Sequence, residues 1–262
     1  MKKTTQIFIF LALVFFLTAA NAPAITLGTN ITISDKVNAG SDWYSDREDQ
    51  EVEPGCATGQ KWDLEGFFLN GTTLTMVGGF DFQNGEGDPK MLSGDIFIDT
   101  NGDAVYGPSN DGTGYGYGTT NNTFGYEYAL RLDVSNTQYT VYALSGSSIT
   151  TTVKYEINQE SNPWKYSSGG TDKGPYGLTY HTELDNDEVG GLLGGDDSHN
   201  AVALDLLGFL TQSEIDNFTV HFTMECGNDN LMGRNPVPEP ATLLLLGAGL
   251  IGLTGYARKR KI

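Results

Sequence analysis

The stretch TLTMVGGFDF, residues 73–82, decides the fold because its apolar and polar residues alternate with a period of two. One face carries Leu74, Met76, Gly78, Phe80 and Phe82. Successive side chains of a strand point to opposite faces of a sheet, so this pattern predicts a β-strand with one buried face. Strands of this kind are typical of antiparallel sheets.

The same alternation recurs along the chain, in GYEYALRLDV (125–134), SITTTVKYEI (148–157) and NFTVHFTMEC (217–226). In the last of these, His221 falls on the polar face, where we expect it to be solvated. Shorter candidate strands cover residues 25–33, 62–69, 95–99 and 139–144. The sequence therefore predicts one all-β domain over residues 25–227, a two-sheet antiparallel β-sandwich of the jelly-roll kind.

Gly-rich and Asn/Asp-rich stretches predict loops between these strands. They are residues 106–125, 174–177 and 189–200, with 228–236 as a flexible tether at the end of the domain. The segment LTQSEID (210–216) predicts a short helical turn with a capping box formed by Thr211 and Glu214.

The N-terminus has the pattern of a secretory signal peptide. Lys2 and Lys3 precede an uncharged apolar run, and small residues follow, with Ala22-Pro23-Ala24 as the best small-x-small motif before the cleaved bond. We expect residues 1–24 to be removed and the mature chain to begin at Ile25.

The C-terminus has the pattern of a membrane span. Residues 241–257 hold no charge, and as a helix they are long enough to cross a hydrocarbon core of roughly 30 Å. The basic cluster Arg258, Lys259, Arg260 and Lys261 follows directly, which places that end in the cytoplasm. A buried C-terminal helix is the weaker alternative, because the run has no polar face.

Val237, Pro238, Glu239 and Pro240, followed by this apolar run and the basic cluster, resemble the PEP-CTERM sorting signal of Gram-negative bacteria. The resemblance, which covers residues 237–262, implies processing by an exosortase, a membrane-embedded cysteine protease-transferase that cuts near the Pro-Glu-Pro triplet. It also implies a precursor in the inner membrane and a product at the cell surface or in the extracellular matrix, in bacteria that make exopolysaccharide and biofilms. The two prolines keep the triplet extended, as a protease cleft requires.

Charge and cysteine content fit this destination. The chain has a net charge of −18, and the two end segments contribute only basic residues, so the exported body is more acidic still. Such a surface repels phosphates and argues against nucleic acid as a partner, while it suits divalent cations or neutral glycans. Cys56 and Cys226 would form one disulfide in an oxidising compartment, and two buried thiols remain the alternative.

One candidate metal site stands out in GDIFIDTNGD, residues 94–103. Asp99, Asn101 and Asp103 offer oxygens at alternate positions, as calcium loops do. Asp95 lies on the same face as Asp99 and could add a further oxygen. The Gly and Glu that an EF-hand requires next are absent. A plain hairpin turn at Asn-Gly is the favoured interpretation, and a structural Ca²⁺ is the alternative.

Residues 62–82, 94–103 and 125–133 together resemble the sandwiches of DOMON domains and of the family 9 carbohydrate-binding modules. This resemblance implies a sugar- or ion-binding sandwich without assigning ligand contacts. Aromatic residues in or near loops are the best candidates for stacking on sugar rings, although packing on the core explains most aromatics. These candidates are Tyr115, Tyr117, Trp164, Tyr166, Tyr176 and Tyr180.

The sequence gives no positive signal for catalysis. His181 and His199 lack the spacing of metal-binding motifs, and there is no G-x-S-x-G elbow. We therefore expect a non-enzymatic protein with a structural or adhesive role in extracellular polysaccharide. The alternatives are a carbohydrate- or calcium-binding module with a defined ligand and, more weakly, a hydrolase of glycans.

Overall fold

The computed structural model describes residues 25–33, 60–105, 116–154, 161–189, 198–227 and 229–235. Within these ranges the chain is mostly β-structure, with one four-residue helix, α1 (Gln212–Ile215), and a few 3-10 turns. The strands are β1 (Thr29–Asn30), β2 (Gly66–Asn70), β3 (Thr73–Gly78), β4 (Ile96–Asp99), β5 (Gly118–Thr120), β6 (Tyr128–Asp133), β7 (Gln138–Ala143), β8 (Ile149–Thr151), β9 (Lys165–Ser168), β10 (Thr171–Leu184), β11 (His199–Asp205), β12 (Phe218–Thr223) and β13 (Asn230–Asn235). The prediction of an antiparallel all-β body is confirmed.

Ten of these strands form one antiparallel sheet, in the order β1-β2-β3-β11-β10-β7-β6-β4-β12-β13. The sheet curls so far that its two ends meet, since the amide of Ile33 donates to the carbonyl of Met232 at 2.9 Å and the amide of Arg234 donates to Ile31 at 2.8 Å. One continuous curled sheet thus surrounds the core, where a sandwich of two separate sheets was predicted. A small second sheet has the order β5-β8-β9.

The main core fills the inside of the curled sheet, with the residues that the period-two pattern predicts. Leu74 and Met76 of β3 are fully buried there, together with Leu130 of β6 and Phe222 of β12. Phe222 meets Phe82 edge to face, with ring centroids 5.7 Å apart. Each such side chain contributes about 1.5–3 kcal/mol by leaving water.

The outer face of β4, β6 and β12 is also covered, which the sequence analysis did not predict. Phe97, Tyr126 and Tyr166 form a second apolar cluster on this face. His221, expected to be solvated, is instead 0% exposed, and its ring lies nearly parallel to that of Tyr126 at 6.0 Å. The prediction is wrong because the chain around Pro163 crosses this face, where its carbonyl accepts a hydrogen bond from His221 Nε2 at 3.1 Å.

Four strands lie in stretches that were predicted as loops. The first of them, β5, lies inside the predicted loop 106–125. β10, the longest strand, contains residues 174–177 and is exposed along most of its length, so it lacks an apolar alternation. β11 begins inside the predicted loop 189–200. The predicted tether is wrong for residues 230–235, which form β13, because Leu231 and Met232 are 3% and 1% exposed and pair with β12.

The predicted capping box is present at the start of α1. Glu214 N donates to Thr211 Oγ1 at 3.4 Å, and Thr211 N donates to Glu214 Oε2 at 2.7 Å. Two of the amides that a helix N-terminus leaves unpaired are therefore satisfied locally.

Several predictions fall outside the described residues. They concern the signal peptide 1–24 with Ala22 and Ala24, Cys56, Tyr115, and the sorting segment 237–262 with its apolar run 241–257. Cys226 is described and is 8% exposed. Because Cys56 is not described, the pairing of the two cysteines stays a prediction. No helix in the described part of the chain is both long and apolar enough to span a bilayer.

Candidate functional site

The acidic turn, which we define as residues 99–103 together with Glu127, lies at the C-terminal end of β4, an inner strand of the curled sheet. Asp99 ends β4, and the turn follows it directly. Because Ile98 of β4 pairs with Tyr128 of β6, Glu127 lies beside the turn. Sequence reasoning missed Glu127 as part of this site, although its position on the polar face of a predicted strand was the available signal.

Hydrogen bonds within the acidic turn fix its shape. Asp99 Oδ1 accepts from the amides of Asn101 at 3.0 Å and Gly102 at 2.7 Å. Gly102 has a φ of +83°, as the predicted Asn-Gly turn requires. The Asn101 side chain donates to Glu127 Oε1 at 2.7 Å and accepts from the amide of Asp103 at 2.9 Å. Asn101 therefore links the turn to Glu127 instead of pointing away from it.

Three carboxylates converge at this turn. Asp99, Asp103 and Glu127 each offer an oxygen, and these oxygens all lie within 4.8 Å of one another. Two oxygens bound to one Ca²⁺ at 2.3–2.6 Å are at most about 5 Å apart, so the spacing fits a single hard cation. Asp99 is only 2% exposed, whereas Asp103 is exposed and Glu127 is partly buried.

The electrostatics of the acidic turn favour a positive partner. Burial raises the pKa of Glu127, and the neighbouring charges of Asp99 and Asp103 raise it further, while the amide of Thr100 acts in the opposite sense. Carboxylates this close repel one another, and a divalent cation would remove that repulsion. The structure thus brings the predicted Asp99, Asn101 and Asp103 together and adds Glu127.

Asp95 does not join the acidic turn, contrary to the expectation that it could add an oxygen. It is 1% exposed, and its Oδ2 accepts from the amide of Tyr166 at 2.8 Å and lies 4.0 Å from Arg131 Nε. Burial raises the pKa of Asp95 to about 6, against the charges of Lys165 and Arg131. Asp95 instead ties the small sheet to the outer face of the large one.

The aromatic residues proposed as glycan platforms divide into two groups. Trp164 and Tyr166 are 6% and 7% exposed, so packing on the protein explains them. Tyr176 stacks on a core tyrosine and is partly buried. Tyr117 is 60% exposed, whereas Tyr180, like Tyr176, packs partly against the main core but also lines a cleft. Tyr117 and Tyr180 are therefore the described candidates that remain for contact with a sugar.

Comparison with known proteins bears on the C-terminal segment. Residues 236–261 match the family model described as the PEP-CTERM protein-sorting motif. The matched range contains the Pro-Glu-Pro triplet, the uncharged run and the basic cluster predicted above. No curated protein and no solved structure matches the chain, so the similarity to DOMON domains and family 9 carbohydrate-binding modules is not confirmed.

The motif implies export, passage through the membrane and processing by an exosortase. The acidic turn and the curled sheet belong to the body that precedes it along the chain. The chain therefore carries a PEP-CTERM sorting signal at residues 236–261, the mark of an exosortase-targeted exported protein.

Proposed function

We propose that this protein is a surface or extracellular-matrix protein with a structural or adhesive role in exopolysaccharide or biofilm. The sorting motif at residues 236–261 is the observation that carries the proposal. The net charge of −18 supports it, because an acidic body stays soluble outside the cell and suits neutral glycans or divalent cations as partners, not nucleic acid.

The processing step follows from the chemistry of the motif. Residues 241–257 hold the precursor in the inner membrane, with Arg258–Lys261 in the cytoplasm. Pro238 and Pro240 cannot donate backbone hydrogen bonds and keep the triplet extended. The exosortase cuts near this triplet and releases the body or attaches it at the surface.

Cell fractionation with identification of the C-terminus tests this proposal. The wild-type protein should reach the surface or matrix without residues 241–262. A variant with Pro238→Ala, Glu239→Ala and Pro240→Ala should stay in the membrane fraction with an intact C-terminus. A strain without the exosortase is the matched control, since wild-type protein there should behave like the variant. Surface protein that still carries residues 241–262 would contradict the proposal.

We infer further that the body acts by binding and not by catalysis. Two of the three histidines, His199 and His221, are fully buried and cannot serve as a general acid or base, because such a group must reach its substrate. Hydrolysis of glycans is the weaker alternative. Incubation of the purified protein with exopolysaccharide should release no new reducing ends, and measurable turnover would favour the hydrolase.

The acidic turn supports a second candidate function, calcium binding. Saturation at 100 times the Kd would stabilise the folded protein by about 2.7 kcal/mol, which raises the Tm of a domain this size by roughly 5–10 °C. The rise should disappear in Asp99→Asn and in Glu127→Gln. Asp133→Asn, in a different turn with its own Asn136 hydrogen bonds, is the matched control and should keep the rise. An unchanged Tm of the wild type in calcium would remove this candidate.

A further inference from the structure

A polar cleft of about 620 Å³ opens where β3 and β10 end and β11 begins, near the segment that precedes β2. Its lining includes Gln60, Asp81, Tyr180, Glu183 and Asn200. The volume is in the range of small-molecule sites, but the walls are far more polar than those that bind drug-like or lipid molecules.

A glycine pair shapes one wall of this polar cleft. A Cβ at Gly79 would overlap the carbonyl oxygen of Gln60, and one at Gly78 would lie 2.7 Å from the carbonyl oxygen of Asp63. The missing side chains let the segment that begins at Gln60 cross the end of β3, where the amide of Gly79 donates to Asp63 O at 2.9 Å. The wall therefore depends on the glycine pair Gly78-Gly79 at the end of β3.

The same wall is backed by a buried polar network. Gln60 Nε2 donates to Glu65 Oε1, and both oxygens of Glu65 lie 2.8 Å from His199 Nδ1. His199 Nε2 in turn lies 2.8 Å from Asn186 Oδ1. The Glu65 and His199 side chains are 0% exposed, so the network holds Gln60 in place without itself reaching a ligand.

A β-bulge builds the opposite wall. The register between β10 and β11 shifts between His181 and Leu184, so Thr182 and Glu183 together face Asn200. Glu183 has a φ of +55°, which is uncommon for a residue with a side chain. Bulges re-aim side chains, and strained residues of this kind cluster where a site requires them. Here the bulge directs both Thr182 and Glu183 to the cleft.

Tyr180 lies between these walls, held by Asp81. The Tyr180 hydroxyl donates to Asp81 Oδ1 at 3.2 Å, and the Asn84 side chain donates to Asp81 Oδ2 at 2.9 Å. Asp81 also accepts from the amides of Gln83 and Asn84, both at 2.9 Å. Its acceptor capacity is thus used internally, and it acts as a positioning residue for the tyrosine ring and the Asn84 amide.

The charge balance of the polar cleft selects the ligand class. Among the described residues that line the cleft, three are acidic, Asp81, Glu86 and Glu183, and one is basic, Lys61, which disfavours an acidic ligand. Their oxygens do not form the close three-carboxylate cluster seen at the acidic turn, which disfavours a single metal ion here. Amide, hydroxyl and carboxylate groups next to a half-buried ring match the hydroxyl groups and the apolar face of a sugar.

We propose that the polar cleft binds a short stretch of neutral polysaccharide. The Tyr180 ring stacks on a sugar face, and Glu183 and Asn84 form hydrogen bonds with its hydroxyl groups. This inference rests on the proposed association with extracellular polysaccharide and names the site on the protein where it occurs.

Affinity electrophoresis of the purified full-length or processed protein tests the inference, because so acidic a chain migrates readily in native gels. The gels contain dextran, hydroxyethylcellulose or galactomannan as neutral probes, or alginate as an acidic probe. Glu183→Gln should weaken binding to the retained neutral polysaccharide by about tenfold or more, the loss expected for a hydrogen bond to a charged group. Tyr180→Ala should weaken it at least as much.

Asp187→Asn, which removes an exposed carboxylate just after β10, is the matched control and should bind like the wild type. Tyr117→Ala removes the other candidate ring, which lies outside the cleft, and a loss of binding in that variant alone would overturn the cleft as the site. Glu183 is exposed, so Glu183→Gln keeps the test valid if Tyr180→Ala disturbs the core.

Each other outcome overturns a defined part of the reasoning. Equal retardation of all variants would overturn the cleft as the site and leave the association with polysaccharide standing. Retardation by alginate alone would overturn the neutral ligand class. Absence of retardation by every probe would overturn both the cleft and the polysaccharide partner, while exosortase processing would still be judged by fractionation.

Discussion

The pH dependence of stability should depend on two buried groups, His221 and Asp95, whose effects oppose each other. Burial lowers the pKa of His221 to about 4 from 6.5, against hydrogen bonds to the carbonyls of Pro163 and Ser161. Burial raises the pKa of Asp95 to about 6 from 3.8. Both groups are at most 1% exposed, so solvent screens neither of them strongly.

The sign of each contribution follows from which state binds more protons. As pH falls below 6.5, the unfolded chain protonates His221 while the folded protein does not, so stability falls until about pH 4. As pH rises above 3.8, the unfolded chain loses the Asp95 proton while the folded protein keeps it until about pH 6, so stability falls in the other direction. At 1.36 kcal/mol for each pH unit of difference, each effect amounts to about 3 kcal/mol.

Substitution of one group should leave only the other group's contribution to the pH dependence of stability. As pH rises from 4 to 6.5, the wild type gains about 3 kcal/mol from His221 and His221→Gln does not, so the free energy of unfolding of the variant should fall by this amount relative to the wild type. As pH rises from 4 to 6, the wild type loses about 3 kcal/mol through Asp95 and Asp95→Asn does not, so the free energy of unfolding of this variant should rise by that amount relative to the wild type. The double variant should remove both slopes and serves as the control for all other titrating groups.

Urea unfolding of the purified protein at half-unit steps from pH 4 to pH 7 measures these slopes, with fluorescence and circular dichroism as two probes of the transition. The quantity to compare is the difference in free energy of unfolding between variant and wild type, because every exposed carboxylate contributes equally to the pH dependence of both proteins. Parallel pH profiles of His221→Gln and the wild type would refute the reasoning, since His221 would then titrate alike in the folded and unfolded states.

Three further substitutions have defined outcomes in thermal or urea unfolding. Thr211→Ala removes the capping box and should cost about 1 kcal/mol, whereas Thr211→Ser should cost little; equal losses would contradict a role for the hydroxyl. Gly79→Ala should cost about 1–3 kcal/mol, because the new Cβ meets the carbonyl of Gln60, and an unchanged midpoint would show that this wall of the cleft can shift freely. Phe222→Ala should cost about 3–5 kcal/mol by leaving a cavity in the main core, and a loss below 1 kcal/mol would contradict its full burial.

The parts of the fold that follow from sequence are those where burial repeats along the chain. Residues 73–82 predict β3 and its core face because every second side chain must leave water. β10 gives no such signal, since its side chains are mostly exposed and it is held by its neighbours β7 and β11. β13 was missed because Gly and Asn residues flank its short apolar pair, Leu231 and Met232.

The candidate sites show the same division. The turn after Asp99 was predicted from local chemistry, because Asp, Asn and Gly at this spacing form hydrogen bonds with their own backbone. Glu127 joins it only through the pairing of β4 with β6, which the local sequence does not encode. The polar cleft is more remote still, since Gln60, Tyr180 and Asn200 come together only when the strands β3, β10 and β11 are side by side.

The position of β13 limits where the sorting enzyme can work. β13 ends at Asn235, three residues before Pro238, and three residues of fully extended chain cover at most about 11 Å. In the proposed membrane-held precursor, so short a linker would leave little space between the folded domain and the bilayer surface. Cleavage near the triplet would then require the enzyme either to fit against the folded domain or to act before β13 pairs with β12 and with residues 31–33.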